Sequence, residues 1–194
     1  YSVIQVLKIE LLNPVKLKQV AVYECNTINP YSFAEVVNKV CLYYNKAYIM
    51  VENNAEGAVI VSQLWWEYEN ESLVNEGNKI AKLGVRATKK TKPIAVLLMK
   101  KFIEDGSLKI NDYNTITQLT DFQDLGNAKF ACKNMHDDLL AALWWACYIF
   151  AMNILDEYSL QKDNTFSSEN DEDGWGILSD IESEEIDWDW LTRL

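Results

Sequence analysis

Three stretches of this 194-residue chain carry residue types and spacings that could do chemistry. Glu52 closes a short apolar stretch, Ala47–Val51 (AYIMV), and is followed by Asn53, Asn54 and Gly57. An ionised carboxylate at the end of a buried strand is costly unless it is paired or binds a metal. Open α/β sheets also bind their ligands at the carboxyl ends of strands. The plainer alternative for Glu52 is a solvated strand-end acid, or a cap for the helix that follows. The second stretch, Met135-His136-Asp137-Asp138, precedes the most apolar segment of the chain and holds its only histidine. Two adjacent carboxylates repel unless a cation sits between them, and hard oxygen donors suit Mg²⁺ or Mn²⁺ better than zinc. Against this, aspartate at a helix start is a routine N-cap. The third is a run from Lys79 to Lys101 with eight basic residues and no acid. Its densest part, Gly84-Val-Arg86-Ala-Thr88-Lys89-Lys90-Thr91-Lys92, mixes cations with hydroxyls ahead of a helix. Such a loop can grip phosphate through side chains and a helix N-terminus together. A merely solvated helix face is the alternative.

The elements that must position these residues follow from periodicity and punctuation. Tyr1–Glu10 and Lys18–Glu24 have strand-like composition around the turn signal Asn13-Pro14, so the chain opens as an antiparallel hairpin or meander. After Asn29-Pro30, the spacing of Phe33, Val36, Val37, Val40, Cys41 and Tyr44 predicts an amphipathic helix over Tyr31–Asn45, with Ser32 as N-cap. Ala47–Val51 reads as a buried strand, Ala58–Tyr68 as a helix, and Lys79–Val85 as an ambiguous stretch that could be a strand reaching Gly84. Helices are expected over Thr91–Asp105, stopped by Gly106, over Asn114–Asp124, and from Asp137 to about Leu155. Leu108–Ile110 is a short strand. Strands first, then strand and helix in alternation, is the pattern of an α/β domain with a mixed sheet.

Composition bounds the classes. Hydrophobic residues make up 49% and charged residues 24%, which supports a packed core and excludes wholesale disorder. Four cysteines without a CxxC pair argue against a disulfide scaffold or a zinc ribbon and suit a reducing compartment. The longest apolar run, Leu139–Met152, is 14 residues, whereas a membrane span takes about 20, so no membrane is expected. The net charge of −11 lies wholly in the tail: from Leu155 to Leu194 there are 13 acidic and 2 basic residues, and the preceding part is neutral. The low isoelectric point therefore says nothing against an anionic ligand for the body. Residues 1–155 are read as one domain and 156–194 as an acidic, flexible tail. The chain holds no GxGxxG, Walker A or GxSxG motif, and one histidine leaves little room for a catalytic triad.

Taken together, these motifs resemble the nuclease domain of the large terminase subunit of T-even-like tailed bacteriophages. The resemblance rests on the strand ending in Glu52-Asn53-Asn54 with Gly57 after it, and on the loop Thr88-Lys89-Lys90-Thr91-Lys92 opening a helix. It also rests on the segment from Thr115-Ile116 through Phe122, similar to the family's TI.EF..F region, and on His136-Asp137-Asp138-Leu139, similar to its HDD-L motif. It runs from Tyr1 to about Leu155. The family implies a ribonuclease H-like mixed sheet flanked by helices, whose clustered acids bind Mg²⁺ or Mn²⁺ and cut concatemeric double-stranded DNA during packaging. By that resemblance Glu52 is the middle catalytic carboxylate, Asp138 the last, and Asp137 a neighbouring metal ligand. Arg86, Lys89, Lys90 and Lys92 are candidate DNA contacts.

Further expectations follow from the family. The partners would be the portal and the small terminase subunit, and the place the host cytoplasm, transiently at the procapsid. The family's first catalytic aspartate lies on a central strand just before the segment that begins here at Tyr1. The chain is thus expected to be an N-terminally truncated piece with little activity of its own. A different class of function remains open: a non-catalytic nucleic-acid or assembly-binding module on the same fold, with the basic stripe for DNA and the acidic tail for another subunit. A Holliday-junction-type or transposase-like nuclease is a third reading.

Overall fold

The computed structural model describes residues 1–75, 83–127, 129–152 and 155. It divides into two units, Tyr1–Met152 and Asn153–Leu194. The acidic tail, and Lys79 to Lys82 of the ambiguous stretch, lie outside the described residues.

Two long strands open the chain. β1 (Ser2–Leu12) pairs antiparallel with β2 (Val15–Cys25) around Asn13-Pro14, the hairpin that the turn signal predicts. The register shifts between Val6 and Leu7 and again between Ile9 and Leu11, irregularities that bend and twist a strand. A short β3 (Leu108–Lys109) adds parallel to β2, pairing Leu17 with Leu108, so the sheet is mixed, in the order β1-β2-β3 with β1 at its edge. A second, two-stranded sheet joins β4 (Phe122–Asp124) to β5 (Phe130–Cys132). The domain is a mixed α/β fold, as the alternation of patterns predicts.

Helix α1 runs over Pro30–Tyr43. Its N-cap is Asn29 rather than Ser32: the Asn29 side chain accepts from the backbone N–H groups of Tyr31 and Ser32, and Pro30 starts the helix where its missing N–H costs nothing. The helix expected over Ala58–Tyr68 is α2 (Gly57–Ser62) continued by a π-helical turn, Gln63–Glu67. Then come α3 (Thr91–Glu104), α4 (Tyr113–Asp121) and α5 (Asp138–Tyr148). Asp112 caps α4 by accepting from the N–H of Thr115 at 2.6 Å. The helix expected to reach Asp124 stops at Asp121, because Phe122–Asp124 pairs with Phe130–Cys132 instead.

Two apolar cores hold these elements. One gathers Val96, Met99 and Phe102 of α3 with Leu140, Leu143 and Trp144 of α5, closed by Leu17, Val85 and Leu108. The other gathers Phe33, Val37 and Cys41 of α1 with Ile60, Leu64, Ile49, Leu73 and Leu83. The hairpin serves both: Leu7 and Val15 pack on the first core, Ile4 and Tyr23 on the second. Ordinary transfer energetics, about 25 cal/mol for each Å² of apolar surface buried, make these cores the main source of stability.

A polar network ties the hairpin to the helices. Buried Gln19 accepts at 2.7 Å from the backbone N–H groups of both Asn111 and Asp112, and its own amide donates to Gln5 at 2.7 Å. Gln5 in turn donates to Thr115 Oγ1 and to the carbonyl of Leu139 in the first turn of α5. A buried amide must have its partners satisfied, so this chain of bonds fixes where α4 and α5 begin relative to β1.

Candidate functional site

The segment ending at Glu52 is extended and paired along one edge. Ile49 donates to Ser72 O and accepts from Val74 N, both at 2.9 Å. Val51 accepts from Val85 N at 2.8 Å, and Asn53 donates to Val85 O at 2.7 Å. Its bridges to Leu73 and to Val85 are parallel. Two glycines press on its end. A Cβ on Gly57 would collide with the Glu52 carbonyl, and one on Gly84 would collide with that of Val51. Gly84 also has φ +71°, in the left-handed region that favours glycine. The role of Gly57 is to let α2 start hard against the end of this extended segment.

The Glu52 carboxylate is held by two donors. The indole Nε1–H of Trp145 donates to Oε2 at 2.7 Å, and Asn54 Nδ2 donates to Oε1 at 3.0 Å. Trp145 is seven residues beyond Asp138 on α5. Seven residues are almost two full turns, so the two share one face about 10 Å apart along the axis. Helical side chains lean toward the N-terminus. Glu52 is therefore anchored to α5 through Trp145, about two turns beyond Asp138. It does not act as a side-chain cap for α2, whose N-cap residue, Glu56, makes no side-chain capping bond either.

Asp137 occupies the N-cap position of α5 but makes no side-chain capping bond. Its Oδ2 lies 3.8 Å from the ammonium of Lys92, each side chain about one-third exposed (32% and 29%). The same ammonium sits 4.6 Å from the ring centroid of Trp144. Asp137 and Trp144 are again seven residues apart, so Lys92 runs along a stripe of α5 beside the one that Asp138 and Trp145 share. Asp138 stands in the first helical turn, where a negative charge favours the helix dipole. His136 is exposed and lies against the Tyr1 ring, with centroids 5.5 Å apart.

The donor chemistry of Glu52, Asp137 and Asp138 suits a hard divalent cation. Their gathering is incomplete: among the described residues no three His, Cys, Asp or Glu side chains stand together as a metal-holding group. Glu52 is engaged by Trp145 and Asn54, and Asp137 by Lys92.

The basic loop is closed on itself by hydroxyls. Thr88 Oγ1 accepts from the N–H groups of Lys90 and Thr91, Thr88 O accepts from Lys92 N, and Thr91 Oγ1 donates to the Arg86 carbonyl at 2.5 Å. The amides of Lys90, Thr91 and Lys92 at the start of α3 already have partners within the loop. Any phosphate contact falls to side chains. Arg86, Lys89 and Lys90 are exposed, whereas Lys92 is half-buried and turned to Asp137.

The thiols differ in environment. Burial pushes Cys147 up to about 12. Cys132 is pushed up to about 11 by burial first and then by the charges of Asp137 and Asp121. Cys25 is lowered to about 7, chiefly by its hydrogen bond with the Thr27 side chain.

Sequence reasoning found the carboxylates and the basic loop but missed Trp145 as the partner of Glu52 and Lys92 as the partner of Asp137. Both tryptophans read as core residues, and both are buried. The only sequence signal was the pair Trp144-Trp145 itself, one indole for each of two adjacent helix stripes. No family model matches the chain. Among the described residues no helix is long and apolar enough to cross a membrane.

Proposed function

We propose that this chain is the nuclease domain of a viral DNA-packaging terminase, with a ribonuclease H-like sheet, acting on double-stranded DNA with Mg²⁺ or Mn²⁺. What supports the reading is the hydrogen bond that anchors Glu52 to α5, the helix that also carries Asp138. A carboxylate oriented by two donors and two half-buried aspartates at a helix start supply the hard oxygen donors that a divalent cation takes. The exposed cations Arg86, Lys89 and Lys90 offer contacts for a phosphate backbone.

Glu52, Asp137 and Asp138 would hold the metal, whose chemistry is to acidify a bound water and stabilise the leaving oxygen of a phosphodiester. The chain's own contribution is orientation. The Trp145 indole and the Asn54 amide fix the two Glu52 oxygens, and the Gln5–Leu139 bond fixes the first turn of α5, on which Asp138 sits. On this reading the resemblance implies one further aspartate to complete the ligand set.

The experiment is cleavage of supercoiled plasmid with Mg²⁺ or Mn²⁺. The 194-residue chain should show little or no cutting, and a chain extended by an aspartate-bearing strand ahead of Tyr1 should cut. Asp138→Asn or Glu52→Gln in the longer chain should abolish cutting, because the amide keeps size but removes the charge. Full activity of those variants would overturn the assignment. The binding-module reading is favoured instead if the longer chain binds DNA and neither binds Mn²⁺ nor cuts.

A further inference from the structure

The register of the opening sheet lines up three lysines. Lys8 of β1 pairs with Lys18 of β2, and Lys18 pairs with Lys109 of β3. Residues paired across neighbouring strands point to the same face, and successive residues along a strand to opposite faces. Leu17 and Leu108, the residues just before Lys18 and Lys109, are buried in the first core, and Leu7 packs against it. The three lysines therefore stand in one row on the opposite face, Lys8 and Lys109 exposed and Lys18 half-buried. Neighbouring strands lie about 4.8 Å apart, so the row is about 10 Å long.

Such a row works against the fold, because like charges directly across a sheet repel. Nothing offsets them: among the described residues the ion pairs engage Lys39, Lys92 and Lys100, and none of these three. Lys16, the other lysine on that face of β2, already donates to the Gly106 carbonyl at 3.3 Å. Residues 1–154 balance to zero charge, so the row is a local excess and not one part of a generally basic surface. A polyanion with regularly spaced charges would relieve the repulsion. Duplex DNA advances about 3.4 Å per nucleotide along each strand, so about three phosphates pass over the length of the row. From this register we infer that Lys8, Lys18 and Lys109 form a second phosphate-backbone contact for double-stranded DNA, separate in the chain from Arg86, Lys89 and Lys90. The inference rests on the proposed reading of double-stranded DNA as the ligand.

The test is fluorescence anisotropy of a labelled duplex with the whole 194-residue chain across a salt series, alongside thermal unfolding of each form. Replacing Lys8, Lys18 and Lys109 together with Gln should flatten the slope of log affinity against log salt by about 2–3, alike for unrelated duplex sequences. Lys18→Glu separates function from folding. It sets an acid between two lysines, so the unfolding midpoint should rise while DNA affinity falls. A lysine present only for the fold would not move the two in opposite directions. A midpoint that falls would overturn the like-charge row on which the inference stands. An unchanged slope in both variants, with the unaltered chain binding DNA, would overturn this surface and leave the DNA reading standing. Variants that lose binding to polyglutamate but keep it to DNA would give the row to an acidic protein and overturn the inference. Absence of DNA binding by the unaltered chain would overturn both.

Discussion

The Trp145 indole donates to Glu52 Oε2 at 2.7 Å, joining the end of an extended segment held by isolated bridges, where a buried strand is expected, to the third turn of a helix 93 residues later. Trp145 is buried and Glu52 half-buried, so the bond is screened by little water. Hydrogen bonds to charged groups contribute about 1.5–3 kcal/mol. Trp145→Phe, which leaves an aromatic ring but no donor, should destabilise the domain by about 2 kcal/mol, measured by urea denaturation. Glu52→Gln should cost less, because its amide oxygen still accepts from the indole. In the double variant the two losses should not add, since both report one contact.

Gly57 faces a harder constraint than a missing hydrogen bond. A methyl group there would strike the Glu52 carbonyl, a backbone atom that cannot turn aside. Gly57→Ala should therefore destabilise by more than about 1 kcal/mol, opposite in sign to the usual gain from replacing a glycine. Thermal unfolding monitored by circular dichroism would show it, and an unchanged midpoint would remove the close approach from the account.

What the sequence made legible follows the range of the forces involved. The hairpin around Asn13-Pro14, the helix after Asn29-Pro30 and the helix opened by Thr91 are written in local periodicity and punctuation, and the structure has them. The end of α4 was misplaced because Phe122 continues the helical spacing but pairs with Cys132. A pairing partner ten residues away outweighs a local preference. The Gln5–Gln19–Thr115 network was not legible at all. Two glutamines in a strand pattern look like solvent-facing positions, and only the fold brings the N–H groups of Asn111 and Asp112 to Gln19. The carboxylates were found by type. Their partners Trp145 and Lys92 were not, because an indole in an apolar helix and a lysine in a basic loop carry no local mark of what they touch.

Cys25 should react ahead of Cys132 and Cys147. Cys25 is lowered to about 7, whereas Cys132 and Cys147 are raised to about 11 and about 12. The thiolate is the reactive form. Alkylation of native protein by iodoacetamide should therefore modify Cys25 first, its rate rising through pH 7 and levelling above it. Cys132 and Cys147 should stay unmodified until the fold opens. Mass spectrometry of tryptic peptides gives the order directly, and early labelling of Cys132 would contradict its environment beside Asp137 and Asp121.

DNA binding should separate the exposed cations from the internal one. Arg86, Lys89 and Lys90 are exposed around a loop in which the amides of Lys90 and Thr91 already have partners, so their side-chain charges are what they offer a phosphate backbone. A phosphate contact contributes about 0.9 to the slope of log affinity against log salt. Replacing all three with alanine should flatten that slope by about 2–3 and weaken binding alike for unrelated duplex sequences. Lys92→Met should leave the slope nearly unchanged, because its ammonium is engaged with Asp137 and Trp144. Fluorescence anisotropy with a labelled duplex across a salt series measures both. A slope that falls equally for Lys92→Met would make Lys92 a phosphate contact. A slope unaffected by the triple variant would take DNA away from this loop.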